Sequence, residues 1–431
     1  METTRRHFIQ TGAVGTVASR LAASDRFSLG IIGFGKRGNE LRRYFEKFPE
    51  VNMVAVADLY DGYLQNAREV INEKILTTKE YQAILDRKDI DAVAIATPEH
   101  WHLRMVLDAL SAGKDIYCEK PLTFTVDEGA QIVKAAKNSS RILQVGSQGK
   151  TSPVTAKARE IIKSGVLGKL NLVMSNSGRN SLDGAWRYPI PPDASPQTVD
   201  WNRFLGNSPK LPWNQERFFH WRNYWEYSGG IATDMFVHTL CTMHEILDVK
   251  LPKSVVSHGG NYQWKDGRTV PDLMTSVFEY PGDFQIELCV NLECSKMSAF
   301  TRGPAFMGSE AAMVMGGREG IMLYREDPNM VRAQYAGPLP RKWREQFEAE
   351  RKKLEPLPKP RDVETIEIPG RGDDVANHVG LFVRSVKDRT PSVEDAETGH
   401  NAATAAHMAN YALLHNCRAG LDPKSGKLKA I

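Results

Sequence analysis

Two groups of residues in this 431-residue chain are spaced for chemistry. The first is Gly33, Gly35 and Gly38, a G-x-G-x-x-G run that follows an apolar stretch at 29–32 and precedes a second one at 51–57 that ends in Asp58. Gly33 permits a tight turn off a strand, Gly35 lets the backbone approach a pyrophosphate, and Gly38 lets a helix pack close. The N-terminus of that helix offers free N–H groups and the positive end of its dipole to phosphates. A carboxylate at Asp58 accepts hydrogen bonds from both adenosine ribose hydroxyls and repels a 2′-phosphate, which favours NAD. Lys36 and Arg37 in the loop leave NADP open. The second group is Asp234 and His238, spaced i, i+4 and therefore expected on one face of a helix. There a carboxylate fixes the imidazole tautomer and raises its basicity, as a general base requires.

The elements that must carry these residues follow from periodicity. Over 28–150, strand-like runs at 29–32, 51–57, 92–96, 115–118 and 142–145 alternate with helical patterns at 39–48, 60–73, 79–85, 103–112 and 131–137. Such alternation predicts an α/β Rossmann domain with a doubly wound parallel sheet. Ligands bind such sheets at the carboxyl ends of the strands. The loops Thr97-Pro98-Glu99-His100-Trp101-His102 and Glu119-Lys120-Pro121 are at such ends and are expected to face the cofactor. His100 and His102 alternate, as a metal-chelating pair can, but no Cys/His/carboxylate cluster accompanies them. They are therefore expected to line the cofactor cleft, with no metal.

GFGKRG, ATPEHWH and CEKPL, followed by the G-G-x-x-x-D-x-x-x-H run from Gly229 to His238, resemble the Gfo/Idh/MocA oxidoreductases. The resemblance implies that Lys120 lies beside the nicotinamide and hydrogen-bonds the reacting hydroxyl. It makes His238 the general base and Asp234 its partner or a substrate ligand. A cation at Lys120 suits a developing alkoxide. The resemblance also implies a C-terminal α+β domain, residues 151–431, with a large, mainly antiparallel open sheet. The outer face of that sheet would form a homodimer or tetramer, and a closing helix at 396–417 would pack back near the first domain.

Between the two regions lies a loop-rich segment, 178–227, with Trp186, Trp201, Trp213, Trp221 and Trp225. Trp186, Arg187, Tyr188, Arg222 and Tyr227 are its candidate substrate residues: aromatic faces stack on sugar C–H groups, and the arginines donate to hydroxyls. The same aromatics also suit a core or a subunit contact, and both readings stand. Strand-like runs after 254 are punctuated by Pro281-Gly282-Asp283 and Gly316-Gly317, as hairpins are. Residues 345–360, charged and then proline-rich, read as a solvated insertion.

Composition narrows the function classes. With 56 basic and 52 acidic residues the net charge is +4, too balanced for a nucleic-acid or membrane-surface binder. No apolar run reaches the ~18 residues of a membrane span. Five cysteines, an odd number without a C-x-x-C pair, argue against a disulfide framework. Arg5-Arg6 before His7-Phe8-Ile9 resembles a twin-arginine export signal, with a leader over 1–27 and a periplasmic destination. A basic tail on a cytoplasmic protein is the other reading. The expected activity is NAD-dependent hydride transfer to or from a hydroxyl of a sugar, polyol or glycoside. Two alternatives stand beside it: a glycosidase that recycles NAD through oxidation, elimination and reduction, and a non-catalytic NAD-bound sensor.

Overall fold

The computed structural model describes residues 26–297, 303–316, 320–331, 338–354, 363–369 and 372–431. Most of the expected leader, and the proline-rich end of the 345–360 insertion, lie outside the described residues.

The first layer is a six-stranded parallel sheet of β1 (Phe27–Ile32), β2 (Val51–Ala57), β3 (Leu76–Thr78), β4 (Ala92–Ile95), β5 (Asp115–Cys118) and β6 (Leu143–Val145), in the order β3-β2-β1-β4-β5-β6. Strand order reverses between β1 and β4, which opens the ligand crevice of such sheets there. Helices α1 (Lys36–Phe45), α2 (Asp61–Val70), α3 (Tyr81–Leu85), α4 (His102–Ser111) and α5 (Val126–Lys137) make the crossovers. Helix α1 starts directly after Gly35, three residues earlier than its apolar spacing predicts. No side chain caps it and no acidic residue occupies its first turn, so its first N–H groups stay available. Helix α5 starts early because Thr125 and Glu128 form a capping box. A late helix, Asp374–Asp388, completes this layer by packing Val379, Phe382 and Val383 against Leu29, Leu41 and Phe45.

The second layer is a ten-stranded sheet. Its strands are β7 (Leu170–Gly178), β8 (Ser254–Gly260), β9 (Leu273–Tyr280), β10 (Phe284–Asn291), β11 (Ala305–Gly308), β12 (Ala311–Gly316), β13 (Gly320–Arg325), β14 (Glu364–Ile366), β15 (Ala419–Leu421) and β16 (Leu428–Ala430). Their order is β14-β13-β12-β11-β7-β10-β9-β8-β15-β16, antiparallel except for the β7–β10 pair. Strand β9 alternates as a one-sided strand must, with Met274, Ser276, Phe278 and Tyr280 buried. They meet helices α6 (Pro153–Lys163) and α7 (Val237–Leu247), the latter extended at its start by a π-helical turn, Ala232–Phe236. Helix α8 (Arg341–Lys353) buries none of its residues. After the Asp374–Asp388 helix, now α9, comes α10 (Ala396–His415). Its many small residues let it wedge between the layers: Gly399 lies where a Cβ would be 2.6 Å from Val145 of β6, while Ala402, Ala405, Ala406 and Ala409 join the core of the second layer.

Candidate active site

Gly33 holds a φ of +88° and donates its N–H to the Ala57 carbonyl at 2.8 Å. A Cβ there would lie 2.7 Å from the Ala96 carbonyl oxygen, so only glycine fits the turn. A Cβ on Gly38 would fall on the Gly33 carbonyl oxygen, which is why α1 can start so close to β1. The α1 N-terminus opens on a cleft of about 440 Å³ whose wall includes Gly33, Gly35, Lys36, Arg37, Asp58, Thr97 and Pro98. Asp58 accepts the Phe34 N–H at 2.6 Å and the Tyr60 N–H at 3.0 Å. Burial pushes its carboxyl up to about 6, against those backbone donors and Lys79, which pull it down. Unblocked N–H groups, a glycine cradle and an acid at the end of β2 together fit a dinucleotide. The two loop cations are already engaged: Lys36 with Asp183 at 2.8 Å, and Arg37 with Glu119 at 2.7 Å and Glu40 at 2.9 Å. Glu119 is thus the counter-ion of Arg37 and, 5% exposed, does not reach the cleft wall.

The far wall comes from 178–227, which leaves β7, crosses to the first layer and is fastened there. The Asp61 N–H reaches the Thr198 carbonyl at 3.0 Å and the Asp200 N–H reaches that of Leu59 at 2.9 Å. Arg203 reaches the Lys79 carbonyl at 2.9 Å and Glu80 at 3.1 Å, and Tyr60 bonds Asp193. Tyr188, Phe204, Phe218, Phe219, Trp221 and Arg222 of this strap face the glycine loop across the cleft. Most of its aromatics form a core of their own with Tyr60, including Trp201 and Tyr224.

The two layers meet chemically at Asp234. Its Oδ1 accepts Lys120 Nζ at 2.9 Å and Arg222 Nε at 3.1 Å, and its Oδ2 accepts the Trp186 indole N–H at 3.2 Å. Lys120 also donates to the Asp234 carbonyl at 2.6 Å. The side chains of Lys120 and Asp234 are 10% and 13% exposed. Burial alone would raise the Asp234 pKa, but Lys120 and Arg222, with Arg179 beyond, hold it far below the usual carboxylate range. His238 is pushed well below the ordinary imidazole value by burial and by the charge of Lys120, with Asp234 opposing. It is therefore neutral, the form a general base needs.

Several expected roles change here. Among the described residues no hydrogen bond joins Asp234 to His238: two cations outcompete a neutral imidazole for the carboxylate, so Asp234 serves Lys120 instead. His100 does not line the cleft. Its Nε2 lies 2.8 Å from the Phe204 carbonyl, among the rings of Phe124, Phe204 and Tyr227. His102 is fully buried, with Nδ1 2.7 Å from the Pro121 carbonyl and Nε2 3.0 Å from that of Thr97, so it staples the two strand-end loops together. Arg187 turns away to Asp266 at 3.4 Å and the ring of Trp264. Tyr227 is wholly buried in the strap's aromatic core. Trp186 is 1% exposed and reaches the site only through its indole N–H. Sequence reasoning missed Asp183, Tyr63 and Phe219 on the cleft wall. Glu99, in a loop expected to face the cofactor, turns its carboxylate to Thr233 of the second domain instead.

A dinucleotide-type Rossmann layer and a sheet domain that meet at a Lys–Asp pair define a two-domain protein built to bind a nucleotide. Comparison with known proteins agrees. An oxidoreductase-family model of an NAD-binding Rossmann fold matches residues 27–147, and the family's C-terminal alpha/beta model matches 151–301. The chain belongs to the Gfo/Idh/MocA oxidoreductase family. It is 30% identical over 142 residues to inositol 2-dehydrogenase of Salmonella typhimurium, covering 32% of this chain and 42% of that protein. It is 29% identical over 175 residues to a glycosyl hydrolase family 109 protein of Shewanella pealeana, covering 33% and 38%. The matches thus span about two-fifths of the length of these curated relatives. In fold, it superposes on levoglucosan dehydrogenase in complex with NADH and levoglucosan with a TM-score of 0.64 at 18% identity, over 91% of this chain and 98% of that one.

Proposed function

We propose that the protein is an NAD-dependent oxidoreductase that moves a hydride between the nicotinamide and a hydroxyl-bearing carbon of a sugar or polyol. The observation that carries this reading is the ion pair of Lys120 and Asp234. It is contributed by both domains and tied through Arg222 to the wall of the nucleotide cleft, with neutral His238 close by. NAD bound along the cleft supplies the hydride acceptor. The α1 N-terminus and Asp58 hold its pyrophosphate and adenosine ribose, and the acid disfavours a 2′-phosphate. A ring nitrogen of His238 takes the hydroxyl proton. The Lys120 ammonium, aimed by its two bonds to Asp234, stabilises the oxygen as negative charge develops. The inositol and levoglucosan dehydrogenases among its relatives support a sugar or polyol as substrate.

The test is purified protein with NAD and a panel of sugars and polyols, read by NADH formation. Full turnover in a Lys120→Met or His238→Ala variant would remove the roles assigned. A second reading, a glycosidase that recycles its NAD, is supported by the family 109 relative and by the strap over the cleft. Cleavage of aryl glycosides without net NADH would select it. Bound dinucleotide with neither activity would mark a sensor.

The same reading includes two assembly features. One is a homo-oligomer through the sheet face that carries Val256 and Val277, measured by light scattering. The other is twin-arginine export to the periplasm, measured by fractionating cells that carry an Arg5→Lys/Arg6→Lys leader.

A further inference from the structure

Glu99 follows β4 and is 1% exposed, yet its carboxylate takes three donors from the second domain. Oε1 accepts the Ser228 hydroxyl at 2.8 Å and the Thr233 hydroxyl at 2.9 Å, and Oε2 accepts the Gly229 N–H at 3.0 Å. These residues form the start of the helical segment that carries Asp234 and His238. The Gly230 N–H turns back to the Ser228 hydroxyl at 3.0 Å, and Asn410 of α10 holds the Gly229 carbonyl at 2.8 Å. Glu99 therefore caps, from another domain, the positive end of that helix. Its contact at Thr233 falls inside the π-helical turn Ala232–Phe236, one residue before Asp234. A π turn replaces the i→i+4 bonds of an α-helix with i→i+5 bonds, so it persists where side chains hold it.

We propose that Glu99 is a positioning residue: by capping Ser228–Gly229 and holding Thr233, it fixes the π turn and so sets Asp234 against Lys120 and places His238 beside that pair. This assigns the first domain two grips on the catalytic segment, Glu99 after β4 and Lys120 after β5. The burial of a carboxylate is then explained, because a single loss of register at Thr233 would move Asp234 off the ammonium. Burial pushes the Glu99 carboxyl up to about 7 while its three donors oppose, and the charged groups that face it are Asp234 and Arg222.

The inference rests on the proposed activity for its kinetic arm, and a second arm is independent of it. In the first arm, Glu99→Gln keeps the shape but sets an NH2 against a donor. It should lower kcat about 100-fold, the scale of an ångström's misplacement at a reacting centre. The KM for NAD should stay within about twofold, because Glu99 is not on the cleft wall. Thr233→Val should share that loss and Thr233→Ser, which retains the hydroxyl, should restore it. The double variant Glu99→Gln/Thr233→Val should be no worse than either single one, since both break one link.

In the second arm, hydrogen exchange followed by mass spectrometry should show the amides of 228–238 exchanging at least about tenfold faster in Glu99→Gln, with the middle of α10 unchanged. Wild-type exchange at 228–238, or wild-type kcat per bound dinucleotide in a variant that merely melts earlier, would overturn the proposal and leave Glu99 a structural cap. If Glu99→Gln does not fold, the Thr233 pair decides by the same readouts. A wild-type protein inactive on every sugar would defeat the proposed function alone, and the exchange arm would still decide this one.

Discussion

Asp58 makes NAD binding a pH-dependent event whose slope follows from its surroundings. The carboxyl sits at the end of β2 with the Phe34 and Tyr60 N–H groups on its two oxygens, and burial raises its pKa from 3.8 to about 6. The raised value means that the nucleotide-free protein binds a proton there below about pH 6. Both ribose hydroxyls find an acceptor oxygen each in the ionised form, whereas protonation turns one oxygen into a donor, so full binding below that point must first expel the proton. The apparent Kd for NAD should then be flat above about pH 7 and rise about tenfold per pH unit below 6, reaching roughly tenfold at pH 5. Quenching of protein fluorescence by NADH, titrated from pH 8 to pH 5 with the fold checked by far-UV dichroism, measures this directly and needs no substrate. Asp58→Asn removes the charge and should weaken NAD by about 10- to 100-fold, the worth of a charge-assisted hydrogen bond. It should abolish the slope and narrow the preference over NADP. A Kd that stays level down to pH 5, or a slope that survives in Asp58→Asn, would refute the assignment of the acid to the ribose.

Three further outcomes follow from the same geometry. Lys120→Met and His238→Ala should each lower kcat by about 100- to 10,000-fold while the NAD Kd changes little, because neither residue lines the nucleotide cleft. Paired kinetics and NADH titrations check both halves. Gly38→Ala drives a methyl group onto the Gly33 carbonyl oxygen, so it should cost about 1–3 kcal/mol by calorimetry and abolish dinucleotide binding. Arg203→Ala deletes the strap's bonds to Lys79 and Glu80 at 2.9 and 3.1 Å. At about 1 kcal/mol each, their loss should speed NADH release by up to roughly 30-fold in stopped-flow displacement, and an unchanged rate would show that the strap does not gate the cofactor.

What could be read in the sequence was what depends on neighbours in the chain. The glycine spacing worked because a turn, a phosphate approach and a helix contact are all decided within six positions, and the structure shows two of the three glycines sterically required. The parallel sheet was legible because β4 is apolar throughout and β5 apolar after Asp115, and both are buried at every position. The start of α1 was misplaced because its first turn, Lys36 to Asn39, is polar and carries no apolar period. Helix α9 has one apolar face, but nothing in its spacing says that this face belongs to the first layer rather than the second.

Partner choice inside the site is where local spacing fails, and the reason is electrostatic. Asp234 has an imidazole four residues away, yet it bonds an ammonium 114 positions back and a guanidinium 12 positions back. In a poorly solvated cleft a carboxylate gains far more from a full charge than from a neutral ring, so whichever cation the fold brings near takes it. His100 and His102 show the converse. Two alternating imidazoles look like ligands in one dimension, but burial keeps them neutral, with one N–H each: His100 lies against the Phe204 carbonyl, and His102 lies between those of Pro121 and Thr97 and can donate to one of them. Arg187 and Arg222, alike in the sequence, diverge for the same reason: Asp266 holds one and Asp234 the other. Spacing therefore identifies which groups are available for chemistry, and the distribution of buried charge decides which of them act. Here that leaves His238 as the one catalytic candidate whose ring is claimed by no carboxylate or carbonyl among the described residues, which suits a group that must accept a proton from a substrate.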